Sequence, residues 1–397
     1  MPADVTGRPA VDVALFQIPS EPMSVCVFVK RTYDLVHNRR MTRSRSAELA
    51  LSTEPIGEDA DGTEPIECPV CEWDLAPRKP CTDIVVHGHV RSPDAAPVTS
   101  MRAVVRIGGG WKQALVIGDR RVSWRPGSPP RFGAPEPFIE LPLTWRRAYG
   151  GIDGSVPPRG PTDSVLELLA ALTPGQHPGA YPRNPVGLGW VVHADRRRLD
   201  GLRLPNFETP EQRLTPDRLV LGSPDRWPWA PEPAGFGWIG QTWFPRSTLL
   251  GLEPAFALLP DHLRQDWLEL PPEFVGGPDP RFYSGASSGM RRVDLRGDEL
   301  VELHGFRHEG SVITALPDDQ PDVTIMLRRQ PLELATRLHT IELFPDHGLT
   351  TLLWVAEARM PQVLPLSFPG ASAESFDVLE SVDVLLDGVT LPRDLIG

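Results

Sequence analysis

Runs of β-branched and aromatic residues, separated by turn-forming residues, dominate the first third of the chain. Residues 25–30 (Val-Cys-Val-Phe-Val-Lys) and residues 84–86 (Ile-Val-Val) are typical of strands. Between residues 101 and 116, two such runs flank Gly108-Gly109-Gly110. Because glycine supplies the positive φ angles that a tight strand reversal needs, this pattern predicts a hairpin.

The last third of the chain returns to the same pattern. Alternating apolar runs enclose turn-forming residues at 299–316, 338–356 and 382–391, and the last of these turns is Asp387-Gly388. Aspartate and glycine are common in tight turns, because they tolerate the backbone conformations that turns require. We therefore expect three further hairpins.

The middle of the chain, residues 148–246, has little periodicity of either kind and many glycines and prolines. Glycine permits close backbone approach, whereas proline fixes φ and removes a hydrogen-bond donor. These residues predict a specific irregular surface. Short helices are expected near residues 164–172 and 261–268.

These patterns predict a mainly β fold with few short helices. We expect two sheet-rich lobes, residues 11–150 and 247–397, bridged by an irregular central segment rich in proline and glycine, residues 151–246. One continuous domain over most of the chain is the alternative, since β architectures often exceed 200 residues as one unit.

Composition narrows the possible functions. The chain has 397 residues and a formal net charge of −12, spread along its length, which argues against nucleic acid or an anionic membrane as a partner. No apolar run approaches the roughly 20 residues that span a bilayer, and the N-terminus lacks the features of a signal peptide. Four cysteines form no disulfide framework in a chain of this length. We expect a cytoplasmic protein.

Eight ordered motifs cover nearly the whole chain. They are Val29-Lys30-Arg31-Thr32-Tyr33, Lys79-Pro80-Cys81-Thr82-Asp83, Gly118-Asp119-Arg120, Leu143-Thr144-Trp145-Arg146-Arg147-Ala148-Tyr149-Gly150-Gly151, Asn184-Pro185-Val186-Gly187, Leu204-Pro205-Asn206, Pro233-Ala234-Gly235-Phe236 and Leu295-Arg296-Gly297-Asp298-Glu299. Taken together, these motifs resemble a bacterial family known as domain of unknown function 2169.

This resemblance implies a non-enzymatic adaptor or chaperone. Such a protein would bind a secreted effector and help to load it onto a type VI secretion or related contractile injection apparatus, with the spike protein of that apparatus as a second partner. The residues expected to serve binding or architecture are Arg146, Tyr149, Gly150, Asn184, Gly187, Asn206, Trp229, Gly235, Phe236 and Arg246. Trp229 and Trp227 are candidates either for a binding anchor or for the core, whereas Trp145 and Trp243 favour the core.

A hydrolase is the first alternative. Gly285-Ala286-Ser287-Ser288-Gly289 matches the spacing of a nucleophile elbow, and several histidines follow it in the chain. The elbow needs a helix directly after the serine, but residues 290–295 have an extended pattern. A simple serine and glycine loop explains the motif better.

A zinc-stabilised structural component is the second alternative, and zinc is the cofactor it would need. Cys68 and Cys71 have the spacing of a zinc knuckle, and Cys81, His87 and His89 follow within about twenty residues. The set is incomplete because a second Cys-x-x-Cys pair is missing, so we favour no metal site and expect no cofactor. His87 and His89 alternate along a predicted strand, which fits metal ligands and a solvated sheet face equally well.

Overall fold

The structure, a computed structural model, describes residues 3–4, 10–16, 24–58, 68–76, 78–125, 127–156, 179–195, 199–249, 279–327, 330–359 and 383–391. Strands make up most of the regular structure in these residues, and the helical segments are short. The mainly β class is therefore confirmed. The helices expected near residues 164–172 and 261–268 lie outside the described residues.

The large sheet joins strands from both ends of the chain. Its order is Arg291–Arg292, Thr82–Val86, Thr336–Phe344, Leu349–Arg359, Ser24–Asp34 and Ala10–Phe16, and Thr42–Arg43 also pairs with Ser24–Asp34. Neighbouring strands are antiparallel, apart from the parallel pair Thr82–Val86 and Thr336–Phe344. A parallel pair requires a long connection, so its strands come from distant parts of the chain.

The two central strands of the large sheet are covered on both faces. Ser24–Asp34 and Leu349–Arg359 are buried over almost their full lengths. On one face, Val25, Val27 and Val29 belong to the main hydrophobic core, and on the other a smaller cluster contains Cys26, Phe28, Leu353 and Val355. A continuous apolar run, in place of strict alternation, is the pattern of a strand buried on two sides.

The second sheet packs on the same core with one face only. Its order is Phe207–Glu208, Gly110–Ile117, Ser100–Ile107, Leu300–His304 and Val312–Ala315, all antiparallel. Ala103, Val105 and Ile107 are buried in the main core, whereas Arg102 and Arg106 are exposed. This alternation is typical of a sheet with one solvated face.

The expected hairpins are present, and glycine conformations explain the tightest of them. Gly108 and Gly109, with φ of 58° and 78°, join Ser100–Ile107 to Gly110–Ile117. Asp387 and Gly388, with φ of 50° and 78°, join Asp383–Leu386 to Val389–Thr390. Positive φ at both central residues characterises the type I′ turn of two-residue hairpins. The hairpins predicted within 101–116, 299–316, 338–356 and 382–391 are confirmed.

Smaller elements complete the described architecture. A C-terminal sheet has the order Gln330–Leu334, Val323–Leu327, Asp383–Leu386 and Val389–Thr390. Short ladders pair Ala3–Asp4 with Glu48–Leu49, Ile56–Glu58 with Cys68–Cys71, His89–Arg91 with Glu140–Pro142, Val122–Ser123 with Arg131–Phe132, and Tyr149–Gly150 with Leu188–Gly189. The 3₁₀ helices are Pro93–Ala95, Trp145–Arg147, Pro216–Arg218, Pro224–Trp229, Arg246–Leu249 and Pro280–Tyr283.

The sheet-rich ranges expected as two lobes share their sheets. Ser24–Asp34 pairs with Leu349–Arg359, and Ser100–Ile107 pairs with Leu300–His304. In the described residues, the two ranges are therefore interleaved in shared sheets. The sequence did not indicate this pairing, because hydrophobic patterning predicts strands without specifying their partners. The boundaries at residues 150 and 246 stay a prediction.

Candidate functional site

A cavity of about 670 Å³ lies where several distant parts of the chain meet. Its lining comes from the large sheet (Lys30, Val86, Glu342 and Phe344), from residues 49–54 and 68–71, from Phe207, and from residues 143–145 and 234–238. The lining is mostly apolar with a few polar groups. Cavities of roughly 300–1,000 Å³ with such a lining are typical ligand sites. This cavity is therefore the candidate functional site.

A buried amide holds the wall segment that carries Trp145. The side chain of Asn184 donates to the carbonyl oxygens of Trp145, at 2.8 Å, and Tyr149, at 3.1 Å. Gly150 and Gly187 permit this close approach, because an added Cβ would lie 2.1 Å from the carbonyl oxygen of Asn184 and 2.5 Å from its amide nitrogen, respectively. The predicted Asn184, Gly150 and Gly187 thus form one structural unit.

A second amide fixes the wall at Phe207. Asn206 Nδ2 donates to the carbonyl oxygen of Ile117, at 2.9 Å, and to the carboxylate of Asp119, at 2.8 Å. Its Oδ1 accepts a hydrogen bond from Arg147 at 3.0 Å. Burial would raise the pKa of Asp119, but the hydrogen bond from Asn206 and the charge of Arg147 hold it below its usual value. The role of Asn206 is therefore architectural.

Gly235 and Phe236 belong to the cavity wall itself. Gly235 packs on the indole of Trp145, where an added Cβ would lie 2.7 Å from ring carbons. Phe236 is buried, and its ring meets that of Phe306 edge to face with centroids 5.5 Å apart. Such aromatic pairs stabilise the packing of the wall by more than their buried area alone contributes.

A charged network forms the polar part of the lining. Lys30 Nζ lies 2.8 Å from Asp74 Oδ2 and 3.2 Å from Glu342 Oε2. His87 Nε2 lies 3.0 Å from Glu342 Oε1, and its ring stacks on Phe344 with centroids 4.6 Å apart. Lys30, His87 and Glu342 line the cavity. The network therefore places charge beside an otherwise apolar space.

Burial and neighbouring charges shift the pKa values of this network. Burial would lower the pKa of Lys30, but the charges of Glu342 and Asp74 hold it above its usual value. Burial would raise the pKa of Glu342, but the charge of Lys30 and the hydrogen bond with His87 hold it below its usual value. At Asp74, burial outweighs the effect of Lys30 and the pKa is raised. Lys30 and Glu342 therefore stay charged in neutral solution.

The cysteines proposed as zinc ligands have separate partners. Cys68 Sγ lies 3.4 Å from the hydroxyl of Thr144, and Cys81 Sγ lies 3.4 Å from the hydroxyl of Ser284. Burial raises the pKa of the Cys71 thiol, and it raises that of Cys81 to about 11. Cys68 and Cys81 therefore have different hydrogen-bonding partners.

The two histidines of the zinc set also have other partners. His87 bonds to Glu342, and His89 Nδ1 lies 2.7 Å from Asp346. Among the described residues, no group of three histidine, cysteine, aspartate or glutamate side chains could hold a metal ion. The geometry does not support the zinc alternative, although Cys68, Cys71 and His87 line the cavity.

The hydroxyl of Ser287, the nucleophile expected for the hydrolase alternative, hydrogen-bonds to neighbouring protein groups. Its buried hydroxyl donates to the carbonyl oxygen of Gly235 at 2.8 Å and accepts from Lys112 Nζ at 2.9 Å. Burial lowers the pKa of Lys112 to about 7. No histidine bonds to Ser287 in the described part of the chain, and the strand Arg291–Arg292 follows it. The hydroxyl therefore ties its loop to the cavity wall.

Arg246 lies in a buried internal network. Its guanidinium pairs with the carboxylate of Glu72 and donates to the carbonyl oxygens of Ile239, at 2.6 Å, and Phe282, at 2.9 Å. Burial would raise the pKa of Glu72, but the charge of Arg246 holds it below its usual value. Arg246 is 1% exposed, so its contacts are architectural.

The remaining predicted residues lie outside the cavity lining. Tyr149 is buried against Tyr181, with ring centroids 5.3 Å apart, and Arg146 is half-buried in a 3₁₀ helix. Trp227 is 4% exposed, whereas Trp229 is 59% exposed. The structure thus separates the two tryptophans: Trp227 belongs to the core, and Trp229 keeps the properties of a surface anchor.

The charged network was not expected from the hydrophobic pattern. Lys30 and Glu342 both interrupt long apolar strands, Ser24–Asp34 and Thr336–Phe344. A charge inside such a strand is buried and therefore needs an opposite charge. This interruption is the signal in the sequence that points to the network, but it does not identify the partners.

Residues 21–355 match the model of a family described as "Uncharacterized protein conserved in bacteria (DUF2169)". No curated protein and no solved structure matches the chain. Among the described residues, no helix is both long enough and apolar enough to cross a membrane.

Proposed function

This chain belongs to the DUF2169 family of bacterial proteins, and we propose that it is a non-enzymatic adaptor for a secreted effector. In this role it binds and stabilises the effector in the cytoplasm. It then helps to load the effector onto a type VI secretion or related contractile injection apparatus, with contact to the spike protein. The resemblance of its motifs to the family supports this role.

One observation carries the proposal: the 670 Å³ cavity, with its mostly apolar lining and its charged network. Ile56 and Val70, which are 51% and 37% exposed, extend the apolar lining to the surface. Exposed apolar groups next to a concave site are typical of protein interaction sites. We propose that a segment of the effector occupies this cavity.

The wall of the cavity suits binding without large rearrangement. Asn184 and Asn206 fix two wall segments through buried hydrogen bonds. A preformed site reduces the entropy lost when a partner binds. The hydrolase alternative lacks its expected base, because no histidine bonds to Ser287 in the described part of the chain.

Site-specific photocrosslinking in the bacterial cytoplasm tests the proposal. A photoreactive phenylalanine analogue replaces Val70 at the cavity or, as a control, Val293, which is 58% exposed and does not line the cavity. We expect the probe at Val70 to crosslink one protein that carries a toxin domain. The partner, identified by mass spectrometry, is then purified for binding assays.

Binding and stability of that partner decide the outcome. We expect Ile56→Asp to weaken its binding at least about tenfold, because a charge replaces an apolar contact. Removal of the adaptor should also lower the cellular level and the secretion of the partner. Equal crosslinking from Val70 and Val293, or unchanged partner level and secretion, contradicts the proposal.

A further inference from the structure

We propose that the group entering the cavity is a basic side chain, a lysine or arginine of the partner protein, whose cationic end lies beside His87 and Glu342. This inference rests on the proposed function, since it names the chemistry of the segment that the cavity accepts. It depends on charge complementarity between the cavity wall and its occupant.

Carboxylates outnumber ammonium groups in the cavity lining. Lys30 is the ammonium, and Glu342 and the exposed Glu54 are the carboxylates. Asp74 also pairs with Lys30 but does not line the cavity. Such an excess favours a cation and opposes an anion.

The contact between His87 and Glu342 determines which ring nitrogen meets the occupant. A carboxylate accepts hydrogen bonds, so the nitrogen bonded to Glu342, Nε2, carries the hydrogen. In the neutral ring, Nδ1 is then an acceptor. No hydrogen bond within the described residues occupies Nδ1. His87 can therefore accept a hydrogen bond from an ammonium or guanidinium group, with Glu342 directly behind it.

The rest of the lining matches the stem of such a side chain. Val86, Phe236 and Phe344 supply apolar surface near the charged network. Lysine and arginine bury their methylene groups along apolar surfaces while their charged ends reach polar partners. The net charge of the whole chain, −12, also attracts a basic partner from a distance.

Matched peptides test the inference without knowledge of the natural partner. Three capped tripeptides share leucine at both ends and carry lysine, norleucine or 2-aminoadipate in the centre, so the central group is cationic, neutral or anionic at similar length. Binding is followed by the fluorescence of Trp145 and Trp238, which line the cavity. We expect the lysine peptide to bind about tenfold more tightly than the aminoadipate peptide, with norleucine between them.

Variants locate the source of this preference. Glu342→Gln removes the carboxylate charge, and His87→Phe keeps a ring against Phe344 while it removes the acceptor nitrogen. Both should reduce the preference for lysine over norleucine to less than about twofold. Glu357→Gln is the control, because Glu357 pairs with Arg78 and does not line the cavity. Circular dichroism confirms that each variant is folded.

The possible results separate this inference from the proposed function. Equal binding of the three peptides contradicts the basic side chain but leaves the cavity as a binding site. Tightest binding of the aminoadipate peptide also refutes the inference. If no peptide changes the tryptophan fluorescence, both the inference and the proposed role of the cavity are wrong. An unchanged lysine preference in both cavity variants assigns the effect to another surface and overturns the inference.

Discussion

Replacement of Lys30 by methionine should strongly destabilise the protein. Lys30 is 4% exposed, and its ammonium lies between the carboxylates of Asp74 and Glu342. Methionine keeps most of the volume of the lysine stem but removes the positive charge. The buried carboxylate of Glu342 then lacks the cation that stabilises its charge.

The expected cost follows from the burial of the network. Removal of one partner of a buried ion pair costs about 3–5 kcal/mol, because the remaining charge is uncompensated. Lys30→Met leaves the charge of Glu342 without its ammonium partner, so we expect a loss within that range. Arg106→Met is the control: Arg106 is exposed on the second sheet, 3.7 Å from Glu302, and exposed pairs contribute about 0–1 kcal/mol.

The pH dependence gives this prediction a definite sign. In the unmodified protein the pKa of Glu342 is lowered. Its ionised carboxylate therefore stabilises the folded state at pH values above the pKa that Glu342 has in the unfolded chain. This stabilisation is lost as the pH falls through the pKa that Glu342 has in the folded state. Without Lys30, burial raises this pKa, and the folded state binds protons more readily than the unfolded chain. The cost of Lys30→Met should therefore shrink as pH falls from 7 to 5, by up to about 1.4 kcal/mol per pH unit for each extra proton bound.

Urea unfolding followed by tryptophan fluorescence measures these differences through linear extrapolation. The same measurement at pH 7, 6 and 5 gives the proton linkage for each protein. A cost below about 1 kcal/mol at pH 7, similar to that of Arg106→Met, would refute the argument. So would a cost that stays constant or grows as the pH falls.

Three further predictions use the same unfolding assay. Asn184→Ala should lower the free energy of unfolding by about 1–3 kcal/mol for each buried carbonyl group, of Trp145 and Tyr149, that loses its donor. Gly235→Ala should destabilise the protein and change its tryptophan fluorescence, whereas Gly237→Ala should change little, because its added Cβ would lie 3.5 Å from the same indole. Trp227→Ala should cost about 3–5 kcal/mol as a core deletion, whereas the exposed Trp229→Ala should stay within about 0.5 kcal/mol. Equal costs within either matched pair, or an unaffected Asn184→Ala, would contradict these predictions.

Local patterns predicted the elements of this fold better than their arrangement. Gly108-Gly109 and Asp387-Gly388 encode their hairpins directly, because the turn geometry depends on these residues alone. The pairing of Ser24–Asp34 with Leu349–Arg359 depends on packing between segments far apart in the chain. Hydrophobic periodicity has no information about that choice.

The same distinction applies to the candidate site. Gly235 and Phe236 were expected to matter, and both line the cavity. Cys68 has knuckle spacing with Cys71, and His87 follows nearby, but the fold gives Cys68 and His87 different partners, Thr144 and Glu342. Ligand geometry depends on the tertiary positions of side chains, which spacing along the chain does not determine.

The charged network has an energetic cost that an apolar core would avoid. Removing two carboxylates and an ammonium from water is expensive, and replacement of buried ion pairs by apolar residues is often neutral or stabilising. Stability alone therefore does not account for Lys30 and Glu342 inside the large sheet, or for Asp74 beside them. Four side chains are in contact in this network, and three of them line the cavity: Lys30, Glu342 and His87. Within the described residues, Gly235 and Phe236 line the same cavity. A role in recognition explains both the presence of the charges and their position, since a cationic side chain gains most beside a carboxylate that is shielded from water, as Glu342 is.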